Sequence, residues 1–320
     1  MTRAFVFSDD TVLCHQTIDG WWPLQIQLPP SSNANDNGNL PVPAYQIGNV
    51  ALLESLAPSH WQSDADNRVN DGTENLVVTE SEAATFTAPV ANAITYDYAI
   101  AHDIVLPITA EGSGNAFVPY RQLITQLPAA LSAQISQAIQ LLRWQTDTQF
   151  CSRCASPVVH ATADERAMVC PVCRLRQYPR VQPCVITAIT RPNPQTGEMQ
   201  ILLAHHHRHG EQKRPLMYGL IAGFVEVGES LEHAVVREVA EEVNISLSDI
   251  RYVSSQPWPF PSNLMLGFRA SYAAGDIVIQ EDELSHADFF DLSNLPKIPF
   301  KGSIAYELIA KIAHEQGIAL

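Results

Sequence analysis

The chain has no long apolar run. No stretch approaches the roughly 18 residues that a membrane-spanning helix needs, which argues against helical membrane spans. Its start, MTRAFVFSDDTVLCHQTIDG, lacks the apolar core of a secretory signal, so a soluble, cytoplasmic protein is expected. Positive charge is scarce too: 19 Lys and Arg stand against 34 Asp and Glu, a net charge of −15. General nucleic-acid binding needs a basic footprint and is disfavoured. An anionic substrate must be drawn in locally, by metal ions and a few basic side chains. No internal repeat is visible. With 320 residues and an ordinary hydrophobic share of 46%, two or three globular domains are expected.

Cysteines are few, at positions 14, 151, 154, 170, 173 and 184. They are not spread as in a secreted disulfide framework. Cys151, Cys154, Cys170 and Cys173 form two Cys-x-x-Cys pairs with 15 residues between them. Two turns that offer two sulfurs each supply the four ligands of a closed, structural zinc site. A redox role is the alternative, but redox pairs come singly and beside a helix N-terminus. Cys184, next to Val185 and Ile186, reads as a buried packing residue.

Around this cluster three regions are expected: an amino-terminal α+β domain over 1–146, a zinc ribbon over 147–180, and a third domain over 181–320. The first contains short strand-like runs at 4–7 and 44–47. Polar, turn-rich stretches at 29–39 and 63–74 read as mobile insertions. Leu123, Ile124, Leu127, Leu131, Ile135, Ile139 and Leu142 are spaced helically, and Pro128 divides them into a short and a longer helix. In the third region strands are expected at 183–190, 199–204, 250–254, 264–273 and 277–280. Helices are expected at 230–243, capped by Ser230, and at 303–314. Leu231, Val235 and Val239 are to face the core. The tract His205-His206-His207-Arg208-His209 is a weak metal candidate, since successive strand residues point to opposite faces. It reads instead as a polar strand end with Arg208 or a histidine near phosphate.

Residues 223–245, GFVEVGESLEHAVVREVAEEVNI, carry the chemistry. Glu238, Glu241 and Glu242 lie at spacings that place them on one helical face. Like charges so stacked destabilise a helix, which points to a divalent cation that offsets their repulsion. Mg²⁺ and Mn²⁺ take carboxylate oxygens, and Mg²⁺ commonly bridges to substrate phosphates. A plain surface helix with an Arg237–Glu241 pair is the structural alternative. It gives no reason for three carboxylates on one side.

The stretch resembles the Nudix box, G-x5-E-x7-R-E-U-x-E-E-x-G-U with U aliphatic. Gly223, Glu229, Arg237, Glu238, Glu241 and Glu242 all match. Asn244 replaces the second glycine, and asparagine is the next-best residue for a left-handed helix end. A zinc ribbon before the box and SQPWPFP at 255–261 after it, followed by Ser262 and Asn263, are similar to the NADH pyrophosphatase branch of that superfamily. Asn263 stands where that signature has serine. Tyr178-Pro179-Arg180 and Lys301-Gly302-Ser303-Ile304-Ala305 extend the resemblance.

It implies a Nudix α/β/α sandwich with a mixed sheet, after the ribbon and the amino-terminal domain. It also implies metal-dependent cleavage of the pyrophosphate of NADH or NAD⁺ to NMN(H) and AMP, and removal of NAD caps from RNA 5′ ends. Glu238, Glu241 and Glu242 would hold Mg²⁺ or Mn²⁺, with Glu242 as the base. Glu229 and Arg237 would pair. Phe224, Trp258 and Tyr178 would bound the pocket for the bases, with Glu283 and Ala305 near the ligand. A homodimer is implied. The rival readings are a general nucleoside-diphosphate-derivative hydrolase, which leaves the ribbon and the tryptophan motif unexplained, and a non-catalytic nucleotide sensor, which would be expected to lose box carboxylates.

Overall fold

In the computed structural model the described residues are 3–18, 20–28, 44–47, 91–108, 114–124, 126–161, 165–207 and 215–320. The two stretches read as mobile insertions lie outside them, as do Arg208 and His209. The chain divides into two units, Met1–Pro179 and Arg180–Leu320.

The first unit contains a seven-stranded sheet built from β1 (Arg3–Ser8), β2 (Thr11–Thr17), β3 (Gly20–Pro23), β4 (Gln25–Gln27), β5 (Ala44–Ile47), β6 (Ala91–Thr95) and β7 (Asn115–Pro119). The order is β3-β2-β1-β6-β5, with β4 on β1 and β7 on β2; β1 and β6 run parallel. Helix α1 (Tyr96–Ala101) follows β6, with Thr95 accepting the Tyr98 N–H as its cap. The divided helix is present as α2 (Tyr120–Leu123) and α3 (Ala129–Asp147), with Pro128 at the N-cap of α3. There its missing N–H costs nothing. Three two-residue strands, β8 (Val159–His160), β9 (Met168–Val169) and β10 (Arg176–Gln177), form the ribbon sheet.

The second unit is a mixed sheet of β11 (Gln182–Pro192), β12 (Met199–His206), β13 (Ile221–Phe224), β14 (Ser246–Trp258), β15 (Asn263–Ala274) and β16 (Leu284–Asp291). Its order is β14-β15-β11-β12-β16, with β13 also on β11; β11 and β15 pair in parallel and the other described strand pairs are antiparallel. Side-chain alternation sorts the core into two layers. Ile189, Leu202 and Ala204 pack under α4 (Leu231–Val243), against Val239 and Val243. Ile186, Ala188, Ile201 and Leu203 pack under α5 (Ile304–Glu315), against Leu308, Ile309 and Ile312. Both faces of the sheet are therefore covered, which is why β11 and β12 read as near-continuous apolar runs. This is the expected α/β/α sandwich. Cys184 is buried in it, while Leu231 is only partly buried.

Both ends of α4 follow from sequence. Ser230 accepts the His233 N–H, and Asn244 adopts φ 58°, ψ 33°, the left-handed cap that its chemistry permits. Ser230→Ala removes the first of these bonds. It is expected to cost about 1 kcal/mol, read as a lowered urea midpoint.

Three expectations need correction. Residues 277–280 form no strand. Instead Val278 and Gln280 donate their N–H groups to the carbonyls of Val243 and Glu242, which a helix end leaves without intrahelical partners. The strand expected at 250–254 is the middle of the longer β14, which reaches Trp258, so half of the tryptophan motif is strand. Pro257 is tolerated because β14 lies at the sheet edge. Strand β16 was not expected at all: Ser285, His286 and Asp288 hide its apolar alternation.

Candidate active site

Arg237 organises the box. Nε and Nη2 donate to the two oxygens of Glu229, both at 2.8 Å. Nη1 donates to Glu238 at 2.9 Å and Glu241 at 3.0 Å, and Nη2 also donates to the Phe224 carbonyl at 2.8 Å. All five guanidinium N–H groups are thus matched to acceptors, a pattern that lysine cannot reproduce. Glu229 in turn accepts the Glu226 N–H at 2.9 Å, which ties the loop before α4 to the helix. The Arg237 hydrogen bonds, then that amide, hold the Glu229 carboxyl down to about 2.

The three carboxylates of the helix differ in environment. Glu242 is buried, 1% exposed, on the inward face with Val235 and Val239. Glu241 points outward, its side chain 54% exposed. Glu238 lies between, with its carboxyl against Gly223: a Cβ added there would come within about 2 Å of the Glu238 carboxylate. Burial, then the nearby charges of Glu241 and Glu283, push the Glu238 carboxyl up, while Arg237 opposes the shift. Among the described residues, only the four cysteines bring three or more donor atoms within 4.8 Å of one another. The box carboxylates share a helix, but their oxygens are not drawn into one cluster.

Gly223→Ala makes a separable prediction. The obstructed group is the end of a flexible side chain, so the fold should accommodate the methyl group, with a melting temperature within about 2 °C of the parent. The Glu238 carboxylate must move by an ångström or more, and turnover should fall at least tenfold. Steady-state kinetics beside a thermal melt checks both.

The aromatic candidates of this unit lie at one end of the sheet. Phe224 pairs with Cys184 on β11 and is 48% exposed. Trp258 pairs with Asn263, which pairs in turn with Gln182. Trp258 packs edge-on to Phe260 at 5.3 Å and lies nearly parallel to Phe300 at 6.5 Å. The Ser262 hydroxyl donates to Gln182 at 2.8 Å. Ala305 sits in the first turn of α5. Gln256, which sequence reasoning missed, bridges to that turn: its amide donates to the Gly302 carbonyl and accepts the Ile304 N–H, both at 2.8 Å. It is the second residue of the SQPWPFP motif, which marks the position but not this contact. Tyr178 belongs to the first unit, where it is 56% exposed and its hydroxyl donates to Glu165 at 2.8 Å. The histidines read as a polar strand end are instead buried at His205 and His206, and the alternation of Leu202, Ala204 and His206 could have located His206 under α4.

In the first unit the four cysteine sulfurs lie within 4.8 Å of one another, with Cys151–Cys173 and Cys154–Cys170 both at 3.5 Å. A tetrahedron with Zn–S bonds of about 2.3 Å has edges of roughly 3.8 Å, so the set fits zinc. Each pair is built alike. The N–H of Ala155 bonds the Cys151 carbonyl and that of Arg174 bonds the Cys170 carbonyl, with φ at 59° and 63°. The zinc is structural, because four thiolates leave no open position. For Mg²⁺ or Mn²⁺ the fit rests on donor chemistry: hard carboxylate oxygens of Glu238, Glu241 and Glu242 on one helix, with Glu283 close by.

Comparison with known proteins finds three matching domains. The NADH pyrophosphatase-like rudimentary NUDIX domain matches residues 1–144, the NADH pyrophosphatase zinc ribbon domain 147–178 and the NUDIX domain 182–312. The chain is 46% identical to the NAD-capped RNA hydrolase NudC of Klebsiella pneumoniae over 59% of its own length and 69% of the relative's. It is 41% identical to the protein of the same name from Stutzerimonas stutzeri, over 64% and 70%. A NUDIX hydrolase structure from Nitrosomonas europaea is similar at 21% identity, covering 53% of this chain and 94% of that one, with a TM-score of 0.42. The chain belongs to the zinc-ribbon NADH pyrophosphatase, or NAD-capped RNA hydrolase, family of the Nudix hydrolases.

Proposed function

We infer that this protein hydrolyses the pyrophosphate bond of NADH or NAD⁺ to NMN(H) and AMP, and removes NAD caps from RNA by breaking the same bond. The observation that carries this reading is the Arg237 network, which holds Glu229, Glu238 and Glu241 beside the Phe224 carbonyl while Glu242 turns inward. Glu238, Glu241 and Glu242 would hold a divalent metal, which when bound would neutralise the pyrophosphate charge and make the attacking water more acidic. Glu242 takes the proton of the attacking water as one P–O bond forms and the bridging P–O bond breaks. Arg237 and Glu229 keep the loop before α4 registered on the helix. Phe224 and Trp258 offer rigid faces on which flat rings stack, with Glu283 and Ala305 as further ligand neighbours; Tyr178 is assigned a ring contact on the family resemblance alone. The working form is a homodimer in the cytoplasm. Among the described residues no helix is long and apolar enough to cross a membrane.

The test is kcat/KM for NADH, NAD-capped RNA and ADP-ribose. ADP-ribose keeps the pyrophosphate but lacks the nicotinamide ring. Stacking is worth about 1–3 kcal/mol per base, so NADH should lead by at least fivefold. Equal rates would reduce the reading to a general nucleoside-diphosphate hydrolase. With a net charge of −15, turnover of capped RNA should fall more steeply with RNA length than for a basic decapping enzyme.

A further inference from the structure

Glu242 is 1% exposed, while the Arg237 side chain bonds Glu229, Glu238, Glu241 and the Phe224 carbonyl. A carboxylate so deeply buried is costly unless its surroundings compensate and hold it. The side chain that meets it from the sheet is His206, itself 2% exposed, with Nδ1 at 3.9 Å from Glu242 Oε2. At the far edge of the ring, Nε2 lies 3.4 Å from the Leu220 carbonyl. His206 is the last residue of β12, and the ladder to β16 is irregular there. His205 pairs with His286 and His206 with Leu284, so Ser285 is left over as a bulge. Bulges beside active sites re-aim side chains. Here Ser285 bonds His205 Nδ1 at 2.6 Å.

The same short turn fixes the partners to one another. Gln280 donates its N–H to the Glu242 carbonyl at 2.9 Å, Glu283 donates to Gln280 at 3.0 Å, and His207 donates to the Glu283 carbonyl at 2.9 Å. The end of α4, the end of β12 and Glu283 are thus tied through residues 280–284.

We propose that His206 is a positioning residue that acts through Glu242, with its ring braced on the Leu220 carbonyl and limiting where the Glu242 carboxylate can turn. This rests on Glu242 being the catalytic carboxylate. His206→Ala is expected to lower kcat for NADH by about ten- to a hundredfold, with KM within twofold. His206→Gln keeps a polar end and should recover to within about fivefold of the parent. In substrate-free protein, Mn²⁺ alone, followed by electron paramagnetic resonance, should bind at least threefold more weakly to the Ala variant and near normally to the Gln variant. In a Glu242→Gln background, His206→Ala should change the residual rate by less than twofold, since neighbours that act as a unit are not additive.

Parent-like kcat and Mn²⁺ binding in His206→Ala overturn the proposal, as does an equal loss in both His206 variants that tracks a fall in melting temperature. A loss as large in the Glu242→Gln background as in the parent overturns it too. If Glu242→Gln alone is fully active, the role assigned to Glu242 fails first. If it is inactive while His206→Ala is normal, only the positioning role fails.

Discussion

Glu242→Gln should lower kcat for NADH by at least a hundredfold while the protein stays folded. The substitution keeps the shape of a side chain that is 1% exposed, so packing is nearly unchanged. It replaces a buried carboxyl group, which is costly to hold in an interior, by a neutral amide, so the melting temperature should hold or rise. Losing a positioned proton acceptor is worth about 10²–10⁴ in rate, and a metal ligand is lost with it. Opposite signs for activity and stability are what a functional carboxylate buried at a stability cost should show. Kinetics and a thermal melt on one preparation check both. A fall in both together would instead make Glu242 a structural residue.

The second large effect concerns zinc. Removing the ion with a strong chelator under reducing conditions, or replacing Cys170 by Ser, should unfold the ribbon. The segment's strands, β8 to β10, are two residues each, too little for a core of their own. Structural zinc contributes about 10–16 kcal/mol in small zinc-binding peptides, far beyond what such a segment could replace. Elemental analysis should find one zinc per parent chain and much less in the Cys170 variant. Limited proteolysis should then cut between residues 150 and 177, while the second unit keeps its own melting transition. A Cys170→Ser protein that resists proteolysis there without zinc would contradict the structural role.

What was legible in the sequence follows the kind of constraint. Residues fixed by local chemistry were readable: the cap at Ser230, the left-handed Asn244, the break at Pro128, the paired cysteines. The Arg237–Glu229 pair was readable from the resemblance to the Nudix box. Features made by the sheet were not. Strand β16 is an edge strand with polar residues, so its partner β12 defines it more than its own alternation. Residues 277–280 have strand-like composition but satisfy a helix end. Identical glutamates at 238, 241 and 242 take different environments only once α4 is laid on the sheet, which buries Glu242 and leaves Glu241 exposed. The contact of Gly223 with Glu238 is likewise tertiary, and no spacing rule predicts it.

The central claim is the bond that is broken, and product analysis tests it most directly. Purified protein with NADH and Mn²⁺ or Mg²⁺, resolved by chromatography, should yield AMP and reduced nicotinamide mononucleotide in equal amounts. The yield should vanish with chelator and in Glu242→Gln. Nicotinamide release, or intact NADH beside cleavage of another nucleoside diphosphate derivative, would contradict the account.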